Sequence, residues 1–330
     1  AAWDRRYCIG GDLTDTGPPA AAAREAGCRV LQMTIDILLL LALPASGKSE
    51  LRRYIASLDP TTARDDLDFA PTVQLDDYPY VHMMRRIAEE VRAAGEPPVF
   101  FASDSDPFLD PGDWGTLTQL INLDFADLVD GADRPAVGNA ASWLLGRIDD
   151  ARERAGMAPV ISSLLPTTRN HLYGALENEA EQVIDERQTV IATGAERRTI
   201  VIELARGGPE GATPPLPAPY GYQYTLAQLD DEILGRAAIL YVWVEPDESR
   251  RKNLERAMPG REGDASVLHH GVPEAVMRRE YGTDDLMWLL AEGGGSVIYV
   301  HKQDRVFALP TGVFDNRQDL TSFLRAPEEE

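Results

Sequence analysis

Lysine is nearly absent from this chain. Only Lys48, Lys252 and Lys302 occur, and arginine supplies every other basic side chain. Positive charge as a whole is scarce: 32 Lys and Arg stand against 54 Asp and Glu, a formal net charge of −22. A protein that binds duplex nucleic acid needs a basic surface to displace counterions, so the balance argues against that partner. Cysteine is limited to Cys8 and Cys28, which excludes a disulfide framework and any cysteine-based metal spacing. A reducing cytoplasm is the expected setting. Long apolar runs are missing as well. The longest, Ile37 to Pro44, is a strand's length and far below the ~20 residues of a membrane-spanning helix. No basic segment followed by an apolar stretch and a cleavage site opens the chain, so no secretory leader is expected.

What is present reads as an α/β protein of 330 residues. Residues 1–32 are rich in Gly, Pro and Ala without an apolar period, and are expected to form a loosely ordered extension. From about residue 33 apolar strands and amphipathic helices alternate. The stretch TIDILLLLAL (34–43) is a buried strand, and Leu51, Tyr54, Ile55 and Leu58 mark one face of the helix after it. Further strands are expected at TVQL (72–75), PPVFFAS (97–103), RTIVIELARGG (198–208) and RAAILYVWVEP (236–246), with SVIYVHKQD (296–304) the last. Helices are expected at 80–95, 113–131, 177–195 and from Asp247 onward, and the Pro/Gly-rich stretch 208–224 reads as a long loop.

The first strand leads into Ala42-Leu43-Pro44-Ala45-Ser46-Gly47-Lys48-Ser49. Three of the four fixed positions of G-x-x-x-x-G-K-[ST] are met, with Ala42 in place of the opening glycine. Alanine fits there provided its φ stays negative. Backbone N–H groups of such a turn and of the helix behind it point at phosphate oxygens. The expected cofactor-binding residues are Pro44, Ala45, Ser46, Gly47, Lys48, Ser49 and Glu50. Lys48 would reach the outer phosphates and Ser49 would ligate Mg²⁺.

The segment LPASGKSELRRYI resembles the phosphate turn of P-loop kinases, over about Ile35 to Ile55. That resemblance implies a P-loop NTPase-type three-layer sandwich with a mostly parallel sheet. It also implies helical insertions (about 140–195) and a lid (about 246–285), with ATP and Mg²⁺ as cofactors. The segment VQLDDYPY is similar to the Asp-Asp-Phe-Tyr stretch of uridine-kinase-like enzymes. By position, Asp76 and Asp77 are the candidates to take the acceptor's proton or to order the metal. One of them also suits the N-cap of the helix near Pro79. Arg85 and Arg86 follow as candidate clamps for an acceptor phosphate. Asp104 and Asp106 are weighed as acceptor ligands against simple turn formers, and His82 as a packing residue. Glu203 ends an apolar strand, the form of a carboxylate that holds the Mg²⁺ water shell, and Arg206 with Gly207 and Gly208 behind it has the form of an anion site. Arg250, Arg251, Arg256 and Arg261 lie where nucleotide kinases carry lid arginines. Arg256 is taken as catalytic, and Arg251 and Arg261 as substrate-binding. The paired His269 and His270 lack a partner at metal-ligand spacing, and the aromatic residues are too scattered in sequence to suggest a stacking platform.

The reading is an ATP/Mg²⁺-dependent phosphotransferase acting on a small-molecule acceptor, a nucleoside, nucleotide or related metabolite. Three alternatives stand beside it: a GTP-binding switch, with His301-Lys302-Gln303-Asp304 in the role of Asn-Lys-x-Asp; a nucleotide-binding protein without turnover; and a polynucleotide-end kinase.

Overall fold

The computed structural model describes residues 34–136, 138–256 and 271–325. The expected N-terminal extension, Arg261 and the His269–His270 pair lie outside the described residues. So does the side chain of Arg256.

Six strands form one sheet: β1 (Ile37–Leu41), β2 (Thr72–Asp76), β3 (Thr199–Leu204), β4 (Ala237–Trp243), β5 (Val297–Lys302) and β6 (Arg305–Asp315). Their order is β2-β3-β1-β4-β6-β5. All neighbours run parallel except β5 and β6, which form an antiparallel hairpin. Central β1 is buried on both faces, which is why it reads as an unbroken apolar run rather than an alternation.

The two faces of β1 meet different helices. Leu38 and Leu40 pack with Val201, Val242, Ile55 of α1 (Lys48–Ser57) and Ala63 of α2 (Pro60–Leu67). Ile37, Leu39 and Leu41 pack against the opposite layer. There stand Ile121 and Phe125 of α4 (Asp113–Asp130), Leu226 of α8 (Gly221–Gln228) and Leu286 of α12 (Leu286–Glu292). Helices thus cover both faces of the sheet. A second apolar mass joins α4 to α3 (Tyr78–Ala93), α5 (Ala140–Arg154), α6 (Pro166–Ala175) and α7 (Glu177–Thr193), through Met83, Ile87, Leu117, Leu144, Ile148, Leu172 and Ile184. The short α9 (Asp231–Leu234) precedes β4, and α10 (Pro246–Arg256) and α11 (Glu274–Glu280) follow it. A 3₁₀ turn, Ser322–Arg325, closes the described chain.

Several expectations need correction. PPVFFAS is not a strand. Its two prolines cannot donate to a ladder, and Phe100 takes φ 57°, turning the chain so that only Phe101 bridges Phe108. The end of the expected long loop is helical, because Gly221 opens α8. The last strand is β6, not β5. Pro310 argues against a strand in sequence, yet it faces Val297 at the end of the hairpin. Beyond it, Thr311–Asp315 change partner and pair parallel with Ile239–Trp243. Of the expected apolar face of α1, Ile55 is buried, whereas Tyr54 is 46% exposed.

Leu39 is fully buried at the centre of the sheet. Leu39→Ala is expected to cost about 2–5 kcal/mol by removing packed methyl groups and leaving a cavity, read as a lowered midpoint in equilibrium denaturation.

Candidate functional site

Parallel strands deliver their carboxyl ends to one edge of the sheet, the usual place for chemistry in an open α/β fold. Here the register aligns Glu203 with Leu40 on one side and with Asp76 on the other. The ends of β1, β2 and β3 therefore open together onto a cavity of about 430 Å³.

The turn from β1 to α1 forms one wall. Ala42 is fully buried against the sheet and is not among the residues with positive φ. Its methyl group packs with Leu40 and Ile55, so glycine is not required at that position. The left-handed residues are Ala45 (φ 54°) and Gly47 (φ 97°). Three contacts from distant segments brace the turn. Asn316 Nδ2 donates to Ser46 O at 2.7 Å, Ser249 Oγ donates to Pro44 O at 2.7 Å, and Thr321 lies over Gly47. Ser46 Oγ is buried and has no hydrogen-bond partner among the described residues. Behind the turn, the first N–H groups of α1 lack intrahelical acceptors, as at every helix start.

Pro44 to Ser49 all line the cavity, whereas Glu50 is buried outside the lining. Lys48 is 7% exposed. Its Nζ donates to Leu204 O at 2.9 Å and Ala42 O at 3.3 Å, with Glu203 Oε1 at 3.9 Å. Burial lowers its pKa, opposed by Glu203, Asp77 and Asp76. Opposite stand the acids. Asp76 is pushed up to about 6, first by burial and then by the charges of Glu203 and Asp77. Gln74 Nε2 donates to Asp76 Oδ2 at 3.1 Å and reaches Glu203 Oε2 at 3.5 Å. Arg52 Nη1 lies 3.5 Å from Glu203 Oε2.

The structure separates the adjacent aspartates. Asp76 Oδ1 accepts from Tyr78 N at 3.1 Å, so Asp76 makes the local turn bond expected of one of the pair, while also facing the cavity. Asp77 occupies the N-cap position of α3 without a capping bond. Its Oδ2 lies 2.6 Å from Arg206 Nη2, a close ion pair outside hydrogen-bond geometry. Arg206 is 2% exposed, stacks over Trp114 at 4.7 Å and lies behind the cavity wall rather than in it. Gly208 N–H donates to Thr283 O, so this stretch is not an open anion site as the sequence suggested.

Other expected residues divide in the same way. Arg85 lines the far end of the cavity, 4.0 Å over the Phe101 ring, and donates to Asp104 O and Asp106 O. Arg86 does not reach the cavity, because Glu179, Glu89 and Glu90 hold it on the helical side. Arg251 is exposed and paired with Glu248 and Glu255. Arg250 pairs with Glu210 and Asp247. Asp104 lines the cavity; Asp106 accepts from Ser103 Oγ, and His82 contacts Glu179 at 3.1 Å. From the expected lid, α10 contributes Asn253, whose amide exchanges hydrogen bonds with Val272, and α11 contributes Val276 and Glu280. His301 to Asp304 turn the β5–β6 hairpin at the opposite edge of the sheet, where β4 and β6 begin, and Lys302 is bound to Leu229 O and Asp231.

The aromatic residues, dispersed in sequence, converge. Phe101 stacks on Phe108 (4.5 Å), Phe108 meets Trp114 edge-on (5.2 Å), and Trp114 meets Tyr281 (5.7 Å). Sequence reasoning missed this wall, together with Arg52, Gln74 and Glu280. Arg52 had a usable signal, four residues after Lys48 on one helix face, and Gln74 is two before Asp76 on one strand face. Glu280 had none. Among the described residues, no three His, Cys, Asp or Glu side chains converge on a metal-sized point. No family model, curated protein or solved structure matches the chain.

Gly47→Ala would force a side chain into left-handed backbone and set its Cβ 2.3 Å from Thr321 Oγ1. It is expected to destabilise by about 1–3 kcal/mol, whereas Ala45→Gly is expected to be neutral or stabilising by up to about 1 kcal/mol. Thermal unfolding of both variants checks the contrast.

Proposed function

We propose that the protein is an ATP-dependent phosphotransferase that moves the γ-phosphate to a small hydroxylated acceptor. The observation that carries this reading is one cavity holding both halves of the task. A turn with a buried, unpartnered Ser46 hydroxyl and Lys48 faces the strand-end carboxylates of Asp76 and Glu203. A phosphate seated on the turn would take the Ser46 proton as a hydrogen bond and the N–H groups that open α1. It would also compete with the Leu204 and Ala42 carbonyls for the protons of Lys48, raising that amine's pKa again.

Mg²⁺ fits the donor set. Asp76 and Glu203 repel one another across Gln74, and hard oxygen donors beside phosphate suit this ion. Ser49 Oγ and the Glu203 carboxylate would hold it, where it would neutralise phosphate charge. Asp76 is the better proton acceptor of the two aspartates: its pKa of about 6 suits a base near neutrality, while Asp77 is committed to Arg206. Transfer then rests on positioning and charge neutralisation.

A nucleotide-binding protein without turnover is the second reading, favoured by the bonds that tie Lys48 to two backbone carbonyls. The guanine-switch reading loses support, because His301 to Asp304 sit at the sheet edge away from the turn. The charge of −22 speaks against a polynucleotide end.

Incubation with labelled ATP, Mg²⁺ and a panel of small alcohols is expected to give a phosphorylated product. Lys48→Met and Asp76→Asn should each lower kcat at least 100-fold. Unchanged ATP affinity in Lys48→Met, with no product from any acceptor, would remove the reading. Product without loss in either variant would remove these residue roles.

The pH dependence has a definite sign. Asp76 is raised above its ordinary value of 3.8. Its ionisation therefore costs folded-state stability as pH rises through about 6, while it creates the base. The wild-type rate should climb with pH until Asp76 is ionised, at a lower pH when Mg²⁺ lies beside Glu203. Asp76→Asn should raise the melting temperature more at pH 8 than at pH 4, measured by calorimetry.

A further inference from the structure

The half of the cavity away from the phosphate turn has its own chemistry. Phe101 and Phe108 come from the loop before α4, Trp114 from α4 itself and Tyr281 from the end of α11. They form a continuous wall of rings, with Val81 and Val276 adding aliphatic surface. Such a wall accepts a flat ring by offset or edge contact. Among the described residues Arg85 is the arginine at this end, and its two terminal nitrogens donate to the carbonyls of Asp104 and Asp106. Its guanidinium face lies on Phe101 and is not turned into a fork for an anion. His82, the other basic side chain here, is engaged by Glu179.

Glu280 is the buried carboxyl on the aromatic side, near Asp104 and the indole of Trp114. It is buried, lines the cavity, and accepts from Phe108 N at 3.0 Å through Oε1. Burial pushes it up to about 7. A carboxyl in this place can take an N–H or O–H from a bound molecule. An anionic group brought here would instead meet Glu280 and Asp104, and among the described residues no uncommitted cation would repay its lost hydration. Lys48 and Arg52 line the other end, beside the turn and Glu203.

We propose that the acceptor carries a flat, uncharged ring seated against Phe108, Trp114 and Tyr281, that Glu280 selects it through a ring N–H or O–H, and that it bears no phosphate or carboxylate of its own. Arg85 is then part of the wall, not the phosphate clamp its position in sequence suggested. The proposal rests on the phosphotransferase reading for the word acceptor alone. The ring site is defined by binding.

The test uses the full chain without ATP, titrated calorimetrically with adenosine, uridine, their 5′-monophosphates and ribose as probes. At least one nucleoside should bind 10-fold or more tightly than both its own monophosphate and ribose. Glu280→Gln should weaken that binding about 10-fold. Its melting temperature at pH 8 should not fall, since removing a buried carboxyl with a raised pKa favours the folded state there. The proposal is overturned if neither nucleoside binds at millimolar concentration, if a monophosphate binds as tightly as its nucleoside, or if ribose matches it. It is equally overturned if Glu280→Gln folds and binds like the wild type. Should that variant not fold, the wild-type ranking decides alone. Nucleoside binding with the expected ranking, but no transfer from ATP, removes the phosphotransferase reading and leaves the ring site. Transfer to an anionic acceptor in preference to any nucleoside does the reverse.

Discussion

The parallel register of β2, β3 and β1 is the constraint on which the site depends. It brings Glu203 level with Asp76 on one neighbouring strand and Leu40 on the other, just before the turn that carries Lys48. A one-residue slip would send every side chain of a strand to the opposite face. The slip is resisted because β1 and most of β3 are buried on both sides, so each alternate residue has a fitted neighbour. The same apolar packing that stabilises the sheet therefore fixes the separation of its terminal charges.

Those charges oppose the fold that holds them. Asp76 is raised by burial and by two neighbouring carboxylates, and Lys48 is lowered by burial. The surrounding groups offset only part of this cost: Gln74 spans two acids, Arg52 stands off Glu203, and Arg206 is spent on Asp77. Ser46 adds a buried hydroxyl without a partner. Strain of this kind persists where surrounding structure over-determines it. Here the over-determination comes from Asn316, Ser249 and Thr321, which reach the turn from segments far along the chain.

The cavity has unlike ends. Charged groups on rigid strand and helix termini make one; rings from a loop, α4 and the end of α11 make the other. Arg206 links them, since it contacts Asp77 by charge and Trp114 by its guanidinium face. One buried side chain thus touches both the ring end and an acid at the start of α3.

The residue pattern by itself determined the local elements: the buried first strand, the Gly-Lys-Ser turn, the helices ending at Gly131 and Gly194, and the acids at the ends of β2 and β3. Each follows from propensity and periodicity within a few neighbouring residues. Tertiary structure decided the rest. It separated Asp76 from Asp77, turned Arg86 and Arg251 away from the cavity, showed that Ala42 needs no glycine, and extended the sheet through Pro310. It also gathered Phe101, Phe108, Trp114, Tyr281 and Glu280 into one wall. Local preference acts through backbone sterics over a turn or two of chain. Contacts between residues as far apart as Phe108 and Glu280, 172 positions, are chosen by which apolar faces can bury each other, and no short pattern records that choice.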